Sequence, residues 1–408
     1  ETNLPIVAIN TENQSIPDEP KINVKMAVLN NENGEPNILR DGFNGYDINI
    51  GIEIRGQSSQ YFYPKKSYGI ETRDSVGENL NISILGLPEE NDWILYGPFG
   101  DKTLIRNKLA YDLAGKIMEW APNMVYCELV EDESYRGVYL FGENIKRDKN
   151  RVDIAKITEE DVSAVDISGG YILQYDRIDE LPLDEYWTSP VRPVYEGDYM
   201  HFEYSDPDSD ELTPDQTDYI KNWVNDLDAL MSGNSYTDPI SGYRAYMDVR
   251  SFVDYLILHD FNKYVDAYRL SAFFYNKNDR DGVLLHAGPP WDYNLTIGNM
   301  DYGEGMWETY DWMYTRWISP YWWRRLMDDP WFANEVYCRW EDLSANLLTD
   351  AGVFAIMDSS LQVIETSIDY NFERWPVLGE YVWPNYFVAE THEEEIDFVQ
   401  NWVSERLV

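Results

Sequence analysis

Apolar and polar residues alternate through the first part of the chain. "LPIVAINT" and "KINVKMAVLN" place β-branched and other apolar residues at every second position, the pattern of half-buried strands. "NNENGEPN" between the second strand and the next is turn chemistry. "YDINIGIEIRG" and "KKSYGIETRD" read as two further strands joined by "QSSQYFYP", and together these segments predict a twisted antiparallel sheet. In "DKTLIRNKLAYDLAGKIMEW" the period changes. Ile105, Leu109, Leu113 and Ile117 recur every four residues, which predicts a helix with one apolar face and Asp101 as its N-cap. "MVYCELVED", "RGVYLFGENI" and "GGYILQYDR" return to strands. From about residue 213 the pattern is mostly helical, opening with Thr213 as N-cap and Pro214 at the first helical position. "DVRSFVDYLILHDFNKYV" is a second such helix, and the Trp- and Tyr-rich remainder reads as helices broken by loops. The expected fold class is α+β in one compact unit: a sheet-rich part with one helix over 1–145 and a helix-rich part over 146–408.

Charge narrows the partners. The 408 residues carry a formal net charge of −42, which repels nucleic-acid phosphates and attracts basic proteins. No apolar run is long enough to cross a membrane, and the acidic surface suits a salty or extracellular setting. Two cysteines, Cys127 and Cys338, are too few for a zinc or iron–sulfur site and are expected as buried free thiols. "SDPDSDELTPD" sets Asp206, Asp208 and Asp210 at alternate positions. The glycine and glutamate of a calcium loop are missing, so a solvated acidic linker is expected.

The most informative segment is "VDAYRLSAFFYNKNDRDGVLLHAGPPWDYN". Two apolar strands, about 268–275 and 283–286, flank the turn "NDRDG" and form a hairpin. Asp266 precedes the first strand and Asp292 follows the second, so the hairpin brings the two carboxylates together. Adjacent carboxylates call for a cation or a proton between them, and Mg²⁺ with phosphate oxygens is a natural occupant. The same order, a catalytic Asp before a hairpin and a metal-binding Asp after it, occurs in protein kinases. Their metal-binding Asn falls here on Ser271. "IRGQSSQYFYPKKSYGI" is unusually basic for this chain. Gly56 allows close backbone approach, Ser58 and Ser59 offer hydroxyls, and one of Lys65 and Lys66 can face a cleft.

Six stretches in order resemble the CotH-kinase family of spore-coat protein H-like atypical kinases, in its long extracellular bacterial form: "IRGQSSQYFYPKKSYGIETRD", "LGLPEENDWILYGPFGDKTLIRNKLAYDLA", "YRGVYLFGENIKRDKNRVDI", "GGYILQYDR", "SFVDYLILHDFNKYVDAYRLS" and "GPPWDYNLTIGN". The late "NFERWPVLGEYVWPN" fits the same pattern. The resemblance implies an atypical protein-kinase-like fold of two lobes, a sheet N-lobe and a mainly helical C-lobe. It implies ATP with Mg²⁺, or Mn²⁺, as cofactors and Ser/Thr of a basic or Ser-rich secreted or surface protein as acceptor. An extracellular or cell-surface location and a surface or multienzyme assembly follow from it. Carried over by position, Asp266 looks like the catalytic aspartate and Asp292 the metal aspartate, with Asn294 and Ser271 as further ligands. Lys66, or alternatively Lys65, looks like the phosphate lysine. Arg55, Gln57, Ser58 and Ser59 form the loop over the phosphates. "YLFGENI" resembles a hinge that meets adenine between Glu143 and Ile145, with Glu143 otherwise an ion-pair or ribose partner.

Asp260, Tyr264, Ala267 and Asn276 depart from the family pattern around the hairpin, Tyr264 standing where it can obstruct a metal or an acceptor. These departures support an alternative: a non-catalytic, pseudokinase-like module that binds protein or, through its aromatic residues, glycan.

Overall fold

The computed structural model describes residues 1–31, 34–179, 181–195, 197–266, 268–278 and 282–408. Seven of its strands close a barrel: β1 (Ile6–Asn10), β2 (Ile22–Leu29), β3 (Asp47–Arg55), β4 (Ser67–Arg73), β5 (Asp92–Tyr96), β6 (Met124–Glu131) and β7 (Ser134–Glu143). Their order is β1-β2-β3-β4-β5-β7-β6. β1 closes the ring by pairing antiparallel with β2 on one side and parallel with β6 on the other, Ile6 lying opposite both Leu29 and Glu128. Closure removes every free edge. The alternating residues expected from the sequence then point into one small core that includes Val7, Met26, Ile50, Ile70, Trp93, Cys127 and Phe141.

The expected two-lobed kinase-like fold with an antiparallel sheet N-lobe is therefore incorrect: the sheet closes into a barrel. A sequence pattern reports which face of a strand is apolar, not whether the first and last strands of a sheet meet. The part over 146–408 carries α3 to α9 and, beside these helices, a five-stranded sheet in the order β12-β11-β8-β10-β9. Its strands are β8 (Tyr171–Tyr175), β9 (Tyr186–Thr188), β10 (His201–Asp206), β11 (Ala272–Asn276) and β12 (Leu285–Ala287). The helices are α1 (Ser58–Phe62), α2 (Arg106–Ile117), α3 (Pro214–Ser232), α4 (Val249–Asn262), α5 (Tyr321–Asp328), α6 (Pro330–Ser344), α7 (Asp350–Ile364), α8 (Ile368–Arg374) and α9 (His392–Arg406).

α2 carries the predicted apolar face, and Leu109, Leu113 and Ile117 enter the larger core with residues of the second sheet, α4 and α7. Asp101 satisfies the start of α2 from a distance, accepting from the Arg106 N–H at 2.9 Å and from its guanidinium at 2.7 Å. α3 begins at the predicted N-cap Thr213 with Pro214 at its first position, and Gln216 completes a capping box with Thr213. Cys127 is a buried free thiol as expected, whereas Cys338 is exposed on α6, because its helix turns that position to solvent. No helix among the described residues is long and apolar enough to cross a membrane.

Candidate functional site

A cavity of about 330 Å³ lies between the barrel and the second sheet. On the barrel side, β3 ends at Arg55 and the chain passes through Gly56 into α1. Gly56 has φ +89°, and a Cβ there would stand 2.3 Å from Ser59 Oγ, so the tight entry into this loop requires glycine. Arg55, Gln57, Ser58 and Ser59 all line the cavity. The Arg55 guanidinium sits 5.0 Å from the centre of the Trp291 ring. Burial lowers its pKa, and the negative charge of Asp292 opposes that shift.

The opposite wall is built by strand pairing. β8 lies antiparallel to β11 with Tyr175 opposite Ala272, which sets Asp176 beside Ser271. Asp176 Oδ2 accepts from the Ser271 N–H at 2.9 Å and from Gln174 Nε2 at 2.7 Å. The β11–β12 hairpin forms as expected, although 279–281 of its turn lie outside the described residues. Asp266 and Asp292, at its two ends, line the same cavity. Asp292 is left-handed at φ 61°, and its N–H donates to the Tyr111 hydroxyl at 3.1 Å, which fixes the residue against α2.

The carboxylates repel one another. Burial, then Asp266 and Asp176, push the Asp292 pKa up to about 6 against the pull of Arg55. Burial also raises Asp266, with Asp176 adding to the rise, while Arg269 and Arg177 hold it down. Asp266 is paired to Arg269 at 2.6 Å. No hydrogen bond to the Asp292 carboxylate supports its charge among the described residues. Asn294 and Ser271 lie in the same lining, the Ser271 hydroxyl 3.4 Å from Asp176.

Among the described residues no three His, Cys, Asp or Glu side chains stand close enough to hold a metal by themselves. Mg²⁺ is commonly held by one or two carboxylates plus substrate phosphates. The donors here fit a cation shared with phosphate oxygens and do not form a protein-only cage.

Both lysines are committed elsewhere. Lys65 Nζ is buried and donates to Pro98 O at 3.2 Å, Val138 O at 2.7 Å and Asn371 Oδ1 at 2.9 Å. Burial drives its pKa well down. Lys66 Nζ donates to Gln60 O at 2.5 Å and Tyr63 O at 2.7 Å, closing the end of α1, and the residue is not in the cavity lining. Glu143 and Ile145 lie outside the cavity as well. Glu143 Oε2 accepts from the backbone and side chain of Asn123, and Ile145 packs in the larger core.

Tyr264 is buried beneath the site with its ring stacked 5.0 Å from Tyr293, and it is not in the lining. Asp260 accepts from Tyr268 at 2.5 Å, and Asn276 bonds Ser168 O and the Tyr171 N–H, both structural duties. Ala267 lies outside the described residues. Asp206 accepts from the Arg147 N–H at 2.7 Å and Asp208 precedes a short 3₁₀ turn.

Sequence reasoning missed Asp176, although its segment "GGYILQYDR" stood out; the available signal was an acidic residue directly after an apolar strand. It also missed the aromatic rim, where Trp383 meets Phe62 in a tilted pair at 4.3 Å and stacks on Tyr302 at 5.8 Å. A family model described as CotH kinase protein matches residues 52–408, nearly the whole chain. No curated protein matches the chain.

Proposed function

The chain belongs to the CotH kinase family, and on that premise we propose that its cleft moves the terminal phosphoryl group of ATP onto a Ser or Thr hydroxyl of a protein. The observation that carries this reading is the meeting, across one cavity, of Asp266 and the unsupported carboxylate of Asp292 with the guanidinium of Arg55. Asp266 orients the acceptor hydroxyl and receives its proton; the raised pKa makes it a better base than an ordinary aspartate. Asp292, with Asn294 and Ser271, would hold Mg²⁺ or Mn²⁺. A divalent cation supplies neutralisation of phosphate charge. Arg55 takes the place expected of a lysine, since neither Lys65 nor Lys66 has its ammonium free. Gln57, Ser58 and Ser59 close over the phosphates. A basic or Ser-rich acceptor suits the net charge of −42, and an extracellular or cell-surface setting, within a surface or multienzyme assembly, suits it too.

The test is a thermal-shift titration with ATP, with and without Mg²⁺ or Mn²⁺, followed by transfer of labelled phosphate to a basic Ser-rich protein. A metal-dependent shift lost in Asp292→Asn, and transfer lost in Asp266→Asn with the shift retained, are expected. No shift with either metal would overturn the reading. The engagement of both lysines favours a second reading, a nucleotide-binding module without transfer. That reading predicts the shift but no labelled product.

A further inference from the structure

The loop over 301–318 leaves three of its aromatic rings in solvent, and the mechanism uses none of them. Tyr310 is 60% exposed, Trp312 52% and Trp317 71%. Exposed aromatic residues gathered on one segment mark a surface that another molecule covers. The loop that carries them is firmly held. The buried Lys263 ammonium, at the C-terminal end of α4, donates to the carbonyls of Gly305, Glu308 and Tyr310 at 2.8, 2.7 and 2.6 Å. Arg406 of α9 donates to the Thr309 and Asp311 carbonyls at 2.6 and 2.8 Å, and Met306 and Met313 are buried. A backbone fixed in this way presents its rings already in place, so binding costs little ordering entropy.

The loop starts at the cleft. Tyr302 lines the cavity with Asp266 and Trp383, and its ring stacks on Trp383 at 5.8 Å. Asp301 accepts from the Tyr381 hydroxyl at 2.6 Å, and the Trp307 ring stacks on Tyr386 at 4.8 Å. The segment is also acidic. It carries Asp301, Glu304, Glu308 and Asp311 against Arg316, which is itself paired to Asp311 at 3.1 Å. Lys263 and Arg406 spend their charges on the loop's own carbonyls and on the Tyr310 and Trp312 rings. A surface of rings and carboxylates favours a cation, because ammonium and guanidinium groups lie on Trp and Tyr faces and pair with acids. It disfavours a second copy of this chain, whose net charge is −42. We propose that the loop over 301–318 is the docking surface for the acceptor. The occupant is an extended polypeptide segment whose Lys or Arg side chains lie on Trp312 and Trp317, with its Ser or Thr entering the cleft at Tyr302.

This surface rests on the proposed transfer, and its experiment separates the two. Two peptides of equal length, one with Lys and Arg around a central Ser and one with Gln in their place, are titrated in the labelled-phosphate assay. The proteins are the parent, Trp317→Ala and the double variant Trp312→Ala/Trp317→Ala. Loss of two ring–cation contacts corresponds to a roughly tenfold higher KM for the basic peptide. That rise is expected in the double variant, and a smaller one in Trp317→Ala. Both should keep the parent's kcat and ATP thermal shift, which also reports that the cleft is folded. An unchanged KM in both variants would overturn the surface. So would an equal rise for the Gln peptide, which would make the contact apolar. A neutral oligosaccharide that competes with the basic peptide in the parent but not in the variants would place glycan there and overturn it as well. A parent that transfers phosphate to neither peptide would remove the transfer reading. Anisotropy of a labelled basic peptide then decides the surface alone: it stands if the double variant binds roughly tenfold more weakly, and falls if the variant binds as the parent does.

Discussion

The two walls of the cleft treat charge in opposite ways. On the barrel side each lysine ammonium is spent on the protein: Lys65 on three oxygens and Lys66 on the carbonyls that end α1. On the sheet side Asp292 has no donor, and its neighbours Asp266 and Asp176 repel it. A buried charge with a full set of partners holds structure together. A half-buried charge left without them is a cost that a bound cation or substrate can relieve. The sign of charge in a motif thus says little until its partners are known, and on the barrel side Arg55 rather than either lysine is the cation that acts on Asp292.

The largest effect should come from Lys65. Lys65→Ala strands three buried acceptors and is expected to cost about 3–5 kcal/mol of stability, read by denaturant unfolding. A loss under about 1 kcal/mol would mean that its bonds are not structural. Asp292→Asn works in the other direction. A carboxyl whose folded pKa lies near 6, above its unfolded value, favours the folded state at low pH and loses that contribution as pH rises through 6. Removing the charge should therefore stabilise the ligand-free protein at pH 7 by up to about 2 kcal/mol, and flatten the gain that the parent shows between pH 7 and 5. Equal pH profiles for parent and variant would break the contrast between the walls.

Lys66→Met should cost less than Lys65→Ala, about 1 kcal/mol, because its ammonium sits nearer the surface and serves one short helix. Nucleotide affinity should change little, and loss of binding at full stability would return the phosphate role to Lys66. The smallest effect is expected at Cys338. A maleimide should label this thiol in the native protein and Cys127 only after unfolding, and Cys338→Ser should shift stability by less than about 0.5 kcal/mol.

Much of the local structure is legible in the chain. The period-two runs become β1 to β4 and β6 to β8, the period of four becomes α2, and the Thr213–Pro214 signal starts α3. The Asp–hairpin–Asp arrangement is equally local, since a hairpin must return to where it began, and both aspartates do line one cavity. β5 was not read, because "DWILY" is a continuous apolar run with no alternation to betray it. The third acid of the site was not legible either. Asp176 stands beside Ser271 only because β8 pairs with β11 across a long stretch of chain.

The sequence by itself therefore determined what short-range geometry controls: which segments are strands or helices, where caps stop them, and that Asp266 and Asp292 share a point in space. Tertiary structure alone decided the rest. Barrel closure depends on β1 finding β6, and the duty of Lys65 depends on a carbonyl and an amide brought from β7 and α8. The physical reason is one of range. A side chain's periodicity is fixed by its own backbone, whereas its partners, and so the cost or use of its charge, are fixed by distant segments that only packing brings together.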